Sequence, residues 1–511
     1  MSTSSRVIKN TGYLYVKMII TMLVSLYSTR LILASLGASD FGLFNVVGGA
    51  IIMLGFLNST MTNATQRFMS YAEGEGVIEK KRKIFNVSII LHVIIAIITI
   101  LLLFVAMYPL FNGIFNIEAG RKTAAVIVYM SLIFSTVLTV INVPYDAVMN
   151  AHENMLYYSI IGIFESLLKL GIAYICVYTP HDKLITYGIL MACVPVITLT
   201  IMKIYCHRKY EECVISPRRY WDATMVKQIA GFFGWNFLTA ISSLLTAQGI
   251  GIVLNHFFGT LLNAAQGIAQ QVNGAVSNFS GNMMKALNPV IAKSAGAKNR
   301  DVMNRATIAG CKYSTFLTML FGIPISLEVK YVLSIWLKEV PEWAEIFVVL
   351  QLVRAIIEQI AGSASTAVYA QGDIKHYAIW KSMMNLLPLF ITWFAFTVGG
   401  GPIWLYIPMI IVWGIGGDMV MVCFANQKCG LDISEYMREV LLPLIGATII
   451  MLSFGFAVLI LMEAGFVRLI STCIATTIGL IISGVFVVKR EEKEILKELV
   501  VGKIIQRRRN G

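Results

Sequence analysis

Charged residues are what this 511-residue sequence has least of. Asp, Glu, Lys and Arg make up 14% of it, against about 25% in an average soluble domain. So little charge cannot furnish a water-facing surface, nor the self-repulsion that keeps a chain disordered. Eight cysteines in 511 residues do not make a disulfide scaffold. Cys176, Cys193, Cys311, Cys423 and Cys473 lie within apolar runs and read as small hydrophobes. Cys206, Cys213 and Cys429 fall in loops assigned to the cytoplasm, where thiols stay reduced. No Walker pattern is present, and Gly74-Glu75-Gly76 and Gly399-Gly400-Gly401 read as loop punctuation, so ATP hydrolysis is not expected. His92, His152, His181, His207, His256 and His376 show no ligand spacing, and Cys206, His207 and Cys213 are a weak cluster; no metal and no cofactor are assigned. Segments of about ten alternating residues, the mark of a membrane barrel, are also missing.

Hydrophobic residues account for 57% of the chain, and the mean hydropathy is +0.74. A hydrocarbon core about 30 Å thick takes roughly 20 helical residues to cross. About fourteen segments qualify, with cores at 11–35, 41–63, 84–111, 123–146, 155–178, 184–205, 228–254, 262–284, 306–330, 344–367, 377–398, 402–424, 440–462 and 466–488. In lipid each backbone N–H and C=O must be satisfied within its own segment, so the expected fold is all-α and integral to the membrane. The first run, from about Thr11 to Leu36, is too long for a cleaved signal and is expected to remain as a span.

The net charge of +13 comes in short clusters between apolar runs, which signals topology and not nucleic acid. Arg6 and Lys9, Lys80 to Lys83, Arg208, Lys209, Arg218 and Arg219, Lys293, Lys298, Arg300 and Arg305, and Arg507 to Arg509 mark one side. The other side has little beyond Arg121, Lys122, Lys183, Lys338 and Arg468. Both termini are therefore expected in the cytoplasm. In the tail Ile495, Leu496, Leu499 and Val500 share a helical face, which fits equally a helix on the inner leaflet and one in solvent.

The sequence also repeats itself. Gly37 and Gly259 close the first and seventh spans, Gly74 and Gly296 follow the second and eighth, and each pair is 222 residues apart (259−37, 296−74). Ala147-Val148 answers Ala367-Val368 at an offset of 220 (367−147). An even number of spans per repeat gives two six-helix lobes of like orientation about a pseudo-two-fold axis, with the substrate site expected between them near mid-membrane. The expected organisation is an N-lobe at 1–206, a linker at 207–223, a C-lobe at 224–425, two additional spans at 426–488 and a basic tail at 489–511.

Ionisable groups in a spanning helix cost roughly 2.5–3.5 kcal/mol on insertion scales and mark candidate sites. Lys17, Thr21, Ser25 and Ser28 line one face of the first span. Asn236, Thr239, Ser243 and Thr246 do so on the seventh, and Gln266, Gln270, Asn273 and Ser277 on the eighth, with Lys285 further along. Helix packing through small polar side chains explains any one of these; aligned stripes in both halves point to a wet vestibule. Glu165 and Lys169 stand at i and i+4, and Gln351, Arg354 and Glu358 share a face. Each pair reads equally as a structural salt bridge or as a substrate or ion-coupling group. Lys381, one turn before Asn385, has no acid one turn away and is a candidate for an anionic ligand.

The run Tyr27-Ser28-Thr29-Arg30-Leu31-Ile32-Leu33-Ala34-Ser35-Leu36-Gly37-Ala38-Ser39-Asp40-Phe41-Gly42, with Ala64-Thr65-Gln66-Arg67-Phe68, resembles the N-terminal pattern of Wzx-type polysaccharide flippases. These belong to the multidrug/oligosaccharidyl-lipid/polysaccharide (MOP) exporter superfamily, which has the MATE fold. The resemblance extends over the chain in span number, repeat and charge layout, with specific motifs in the first two spans only. It implies two six-helix lobes plus two C-terminal helices, and alternating access. Its implied cargo is undecaprenyl-diphosphate-linked oligosaccharide, carried from the inner to the outer leaflet of the bacterial inner membrane. By position, it implies that Arg30, Arg67 and Lys285 meet the diphosphate, and that residues 440–488 form a lipid-tail groove. Lys17, Lys169, Arg354, Lys381, Gln266, Gln270 and Asn273 complete the substrate candidates, and Glu165 and Glu358 are the ion-coupling candidates for H+ or Na+. The membrane potential is the alternative drive. Expected partners are the lipid-linked glycan, membrane lipids and other polysaccharide-assembly proteins, with the chain itself a monomer. Competing readings are a peptidoglycan-precursor flippase, a cation-coupled drug exporter of the same fold and, in a different class, a membrane polysaccharide polymerase or ligase, which the short outward loops disfavour.

Overall fold

The computed structural model describes residues 3–52, 55–114, 117, 119–337 and 339–487; among them there is no β-strand. Lys338 and the basic tail lie outside the described residues. In chain order the helices begin with α1 (Thr3–Ile52), α2 (Gly55–Glu75), α3 (Ile78–Pro109), α4 (Lys122–Ala151), α5 (Met155–Tyr178) and α6 (Lys183–Lys209). A single turn, α7 (Pro217–Tyr220), precedes α8 (Ala223–Phe258), α9 (Thr260–Gly296), α10 (Arg300–Leu327) and the short α11 (Val329–Trp336). Then come α12 (Ala344–Ile360), α13 (Gly362–Gln371), α14 (Lys375–Thr397) and α15 (Gly417–Cys429), which continues a π-helical stretch at Met409–Gly416. The last are α16 (Ile433–Tyr436), α17 (Leu442–Leu461) and α18 (Phe466–Val487).

Local chemistry sets several starts. Asn154 accepts from Tyr157 N ahead of α5, Asp182 from Ile185 N ahead of α6, and Asn299 from Val302 N ahead of α10. Each satisfies one of the backbone donors that a helix leaves unpaired in its first turn.

Helix occupies all fourteen expected segments. By length and composition, however, eleven described helices can cross a membrane, or twelve if α12 and α13, bent by 41°, form one span. The two that fall short are the second and eighth. The eighth falls short by its polarity, since α9 carries Asn263, Gln266, Gln270, Gln271, Asn273, Asn278, Asn282 and Lys285. The second runs from the end of α1 into α2 across residues 53 and 54, which lie outside the described residues, so neither helix alone holds its apolar stretch. α2 itself continues into a polar run with Asn58, Asn63, Gln66, Arg67, Glu73 and Glu75.

The chain forms two compact units, one of residues 10–237 and one from Leu238 onward that includes the N-terminal residues up to Lys9. In the first, α4 runs along α6 and also packs on α2 and α3. Its core gathers Val47, Leu103, Val128, Tyr129 and Leu184. The α4–α6 approach is close enough that a Cβ at Gly188 would meet Val128 Cγ2 at 2.9 Å. In the second unit α10 packs on α9, α12 and α18, and α17 on α18. Its core is built from Ile250, Leu254, Ala269, Phe347, Leu352 and Tyr406.

Candidate functional site

Two groups of charged side chains lie inside helices, one in each unit. In the 10–237 unit a cavity of about 150 Å³ is lined by Lys17, Asn142, Asp146, Tyr158, Glu165 and Thr198, among others. Lys17 Nζ lies 4.1 Å from the centroid of the Tyr158 ring, a cation–π geometry. Asn142 donates to Asp146 Oδ2 at 3.2 Å, while its own side-chain oxygen is buried without a hydrogen-bond partner. Lys169 donates to Glu165 Oε1 at 2.6 Å, as their spacing predicts. The cavity thus joins α1, α4, α5 and α6 around two carboxylates, one ammonium and a phenol. Opposite charges gathered at one cavity inside apolar helices are a set that can hold a small cation or a proton.

In the second unit Arg354 Nη1 donates to Glu358 Oε1 at 2.8 Å, and its guanidinium lies 5.1 Å from the Trp413 ring. Arg354 and Lys381 are both buried, at 8% and 9% exposure. Lys381 lies within electrostatic reach of Glu358, Asp418 and Arg354. Its ammonium rests on the backbone next to Asp418, so a Cβ at Gly417 would meet Nζ at 2.9 Å. Asp418 Oδ1 is buried and has no hydrogen-bond partner. Lys381 is thus not isolated from acids; its carboxylates come from α12 and α15 and not from its own helix. Two buried cations beside two half-buried carboxylates are tolerable where either cation alone would not be.

The remaining candidates lie apart from these clusters. Arg30 is exposed. Arg67 is half-buried among rings, 4.5 Å from that of Phe68, 4.8 Å from Tyr71 and 5.7 Å from Phe232. On α9, Gln266 is buried, Asn273 and Lys285 are half-buried and Gln270 is exposed, with Ser277 donating to Asn273 Oδ1 at 3.3 Å. The polar stripe of the seventh span is used differently from a wet face. Asn385 of α14 donates to Ser243 Oγ at 2.8 Å and Ser242 Oγ at 3.3 Å, and Thr246 donates to the Asn385 carbonyl at 2.8 Å. Those residues hold two helices together.

Asp146, Tyr158 and Asp418 were not singled out from sequence. Pairing rules at i and i+4 pass over acids whose partners sit on other helices. The available signal was simpler: an ionisable residue inside an apolar run, which Asp146 and Asp418 both are.

Neither a family model nor a curated relative matches the sequence. Solved structures do match in fold. A MATE transporter in the bent conformation superposes with a TM-score of 0.71 at 15% identity, over 83% of this chain and 95% of the other. An outward-facing multidrug resistance MATE family transporter of the MOP superfamily gives 0.69 at 14%, over 85% and 96%. A MOP superfamily transporter from Pyrococcus furiosus, whose binding pocket of reverse polarity suggests a different function, gives 0.64 at 13%, over 84% and 96%. At these identities the likeness establishes the fold, which is that of the MATE transporters.

Proposed function

We propose that this protein is a secondary transporter that flips an undecaprenyl-diphosphate-linked oligosaccharide, an O-antigen, capsule or exopolysaccharide repeat unit, from the inner to the outer leaflet of the bacterial inner membrane. The observation that carries the reading is the polarity of α2 and α9. α9 holds the eighth expected span, α2 begins within the second and runs beyond it, and both present amides and a cation, Arg67 in one and Lys285 in the other. Amides exposed or half-exposed in this way, such as Asn63, Gln270 and Asn273, suit the hydroxyls of a sugar, and the cations suit a diphosphate. Undecaprenyl chains need only lipid.

Energy enters in one of two ways. Moving negative charge outward gains roughly 2.3 kcal/mol per charge per 100 mV in an inside-negative membrane. The Lys17–Asp146–Glu165 cavity and the Arg354–Glu358–Lys381–Asp418 cluster are the places where H+ or Na+ would couple, through Glu165 and Glu358 in particular. The chain carries no catalytic role in this reading.

The multidrug resistance transporter among the structural neighbours supports a second reading, cation-coupled drug export. The two separate in proteoliposomes. A labelled polyprenyl-diphosphate oligosaccharide is expected to move between leaflets while a cationic dye is not accumulated. Dye transport without glycan movement would replace the first reading by the second.

A further inference from the structure

His152 follows the last turn of α4, in a reversal where Glu153 takes φ 54° and its carbonyl accepts from Asn10 Nδ2 at 3.0 Å. The ring is held on its face and by a hydrogen bond at Nε2, and its Nδ1 stands at ion-pair distance from a second acid. Tyr210 stacks on it at 4.2 Å with an interplanar angle of 11°, and Asn154 holds the Tyr210 hydroxyl at 2.9 Å. Nε2 lies 2.5 Å from Glu212 Oε1, and Nδ1 lies 3.5 Å from Glu73 Oε1. Glu212 is buried in the segment between α6 and α7, and Glu73 belongs to the last turns of α2. The second oxygen of Glu73 takes Lys81 Nζ from the start of α3 at 2.8 Å. One imidazole therefore joins the ends of α2 and α4 to the connecting segment.

Donors and charges limit what can sit there. A neutral imidazole has one N–H and one lone pair, and the lone pair would face a carboxylate. Only the doubly protonated ring offers N–H to both acids. Burial pulls the Glu212 carboxyl upward, but the hydrogen bond from His152, a backbone hydrogen bond and the charges around it, Lys81 included, outweigh burial and hold it below the usual range. The three donor atoms, all within 4.8 Å of one another, are close enough together for a divalent metal. A metal ion uses one ring nitrogen, however, and here both face acids while Lys81 holds the remaining Glu73 oxygen.

We propose that Glu73, His152 and Glu212 form a proton-binding clasp that holds the 210–216 segment against the ends of α2 and α4 while the imidazole is doubly protonated and frees it on deprotonation. The groups facing the ring are Glu73 from α2, with Lys81 of α3 behind it, and Tyr210 and Glu212 from the connecting segment; Glu153 is its neighbour in sequence. The clasp is closed while the imidazole carries its second proton and open once that proton is lost. The second half has no equivalent. Matching the positive-φ residues Glu153 and Gly372 (372−153 = 219) puts Gln371 opposite His152 (152+219 = 371), and the 222 offset puts Ala295 opposite Glu73 (73+222 = 295). An amide does not titrate.

The test is hydrogen–deuterium exchange of the full-length protein in nanodiscs at about pH 5.5 and about pH 8, either side of the ordinary histidine range, corrected for the intrinsic pH dependence of exchange. Peptides covering 210–216 should exchange about tenfold more slowly on the acid side, the scale of one charge-assisted hydrogen bond. H152Q should abolish that difference while α4 keeps its protection. Should H152Q loosen α4 as well, the wild-type profile alone decides. Equal corrected protection at both pH values in the wild type overturns the proposal, and so does a difference that persists in a well-folded H152Q. Zinc that restores protection at the alkaline pH in the wild type would make the site a metal site and overturn it too.

Discussion

Gly37 and Gly259, 222 residues apart, adopt the same backbone conformation, with φ 77° and ψ 168° at the first and φ 78° and ψ −172° at the second. This region is closed to residues with a Cβ, so the bend between the first and second helices of each half is set by glycine in both. An added Cβ would meet nothing within 4 Å at either position, so Gly259→Ala tests the backbone alone. It should lower stability by about 1–3 kcal/mol, read as a depressed unfolding midpoint in detergent. An unchanged midpoint would mean that the bend relaxes without cost.

The repeat was legible because it rests on backbone demands that glycine reports. Even its continuation shows where reading stops: Gly76 at φ 73° is answered 222 residues on by Lys298 at φ 56°, a shared turn that no shared residue type reveals. Spans were legible from apolar runs, and the pairs Glu165–Lys169 and Arg354–Glu358 from helical spacing. The neighbours of Lys381 were not, since Asp418 reaches it from another helix, and the Thr239–Thr246 stripe looked wet until Asn385 was seen to occupy it. Periodicity shows which face is polar and leaves open what that face meets.

Glu328, fully buried at the end of α10, receives two hydrogen bonds of 2.9 Å from Arg468 and one of 3.0 Å from Thr472. This fork fastens α18 to α10. Arg468→Ala should cost about 3–5 kcal/mol, because it strands a buried carboxylate. Glu328→Gln combined with Arg468→Ala should recover much of that loss. Thermal unfolding of the three proteins decides it; equal midpoints for single and double variants would show that the charge is not what matters.

Arg121 binds Asp40 and Asp182 together, tying the loop before α4 to the bend at Gly37 inside α1 and to the start of α6. Burial pulls the Asp182 carboxyl upward, but Arg121 and the Ile185 amide outweigh it and leave it below its ordinary value. Stability from this group is therefore present above the unfolded value near 3.9 and lost as pH falls through the lower folded value. The partners are partly exposed, so the contribution is about 1 kcal/mol or less. Arg121→Gln should flatten the acid limb of stability below about pH 4 and leave the neutral region shifted only slightly.

Lys381→Gln removes one of two cations from a cluster that also holds two carboxylates. If the cluster serves transport, flipping should fall at least about tenfold, a loss of about 1.4 kcal/mol in the rate-limiting step, while membrane insertion and yield stay near normal. Glu358→Gln in the same background should restore charge balance but not transport. Wild-type flipping in Lys381→Gln would remove the cluster from the transport path.

The cavity of the first unit offers a test that changes no charge. Gly162 lies so close to the Lys17 side chain that a Cβ there would overlap Lys17 Cε, which means any larger residue must drive the ammonium from its seat over Tyr158. Gly162→Val should therefore displace Lys17 and partly fill a space of about 150 Å³. If Lys17 only neutralises Asp146 and Glu165, moving it costs stability and leaves the dependence of transport on ion gradients unchanged. If the cavity exchanges a coupling ion, Gly162→Val should uncouple the protein, so that flipping becomes insensitive to an imposed proton or sodium gradient while downhill exchange persists. Comparing gradient dependence with thermal stability in the same preparation separates the two, because only the coupling role predicts a change in the first that exceeds what the second explains.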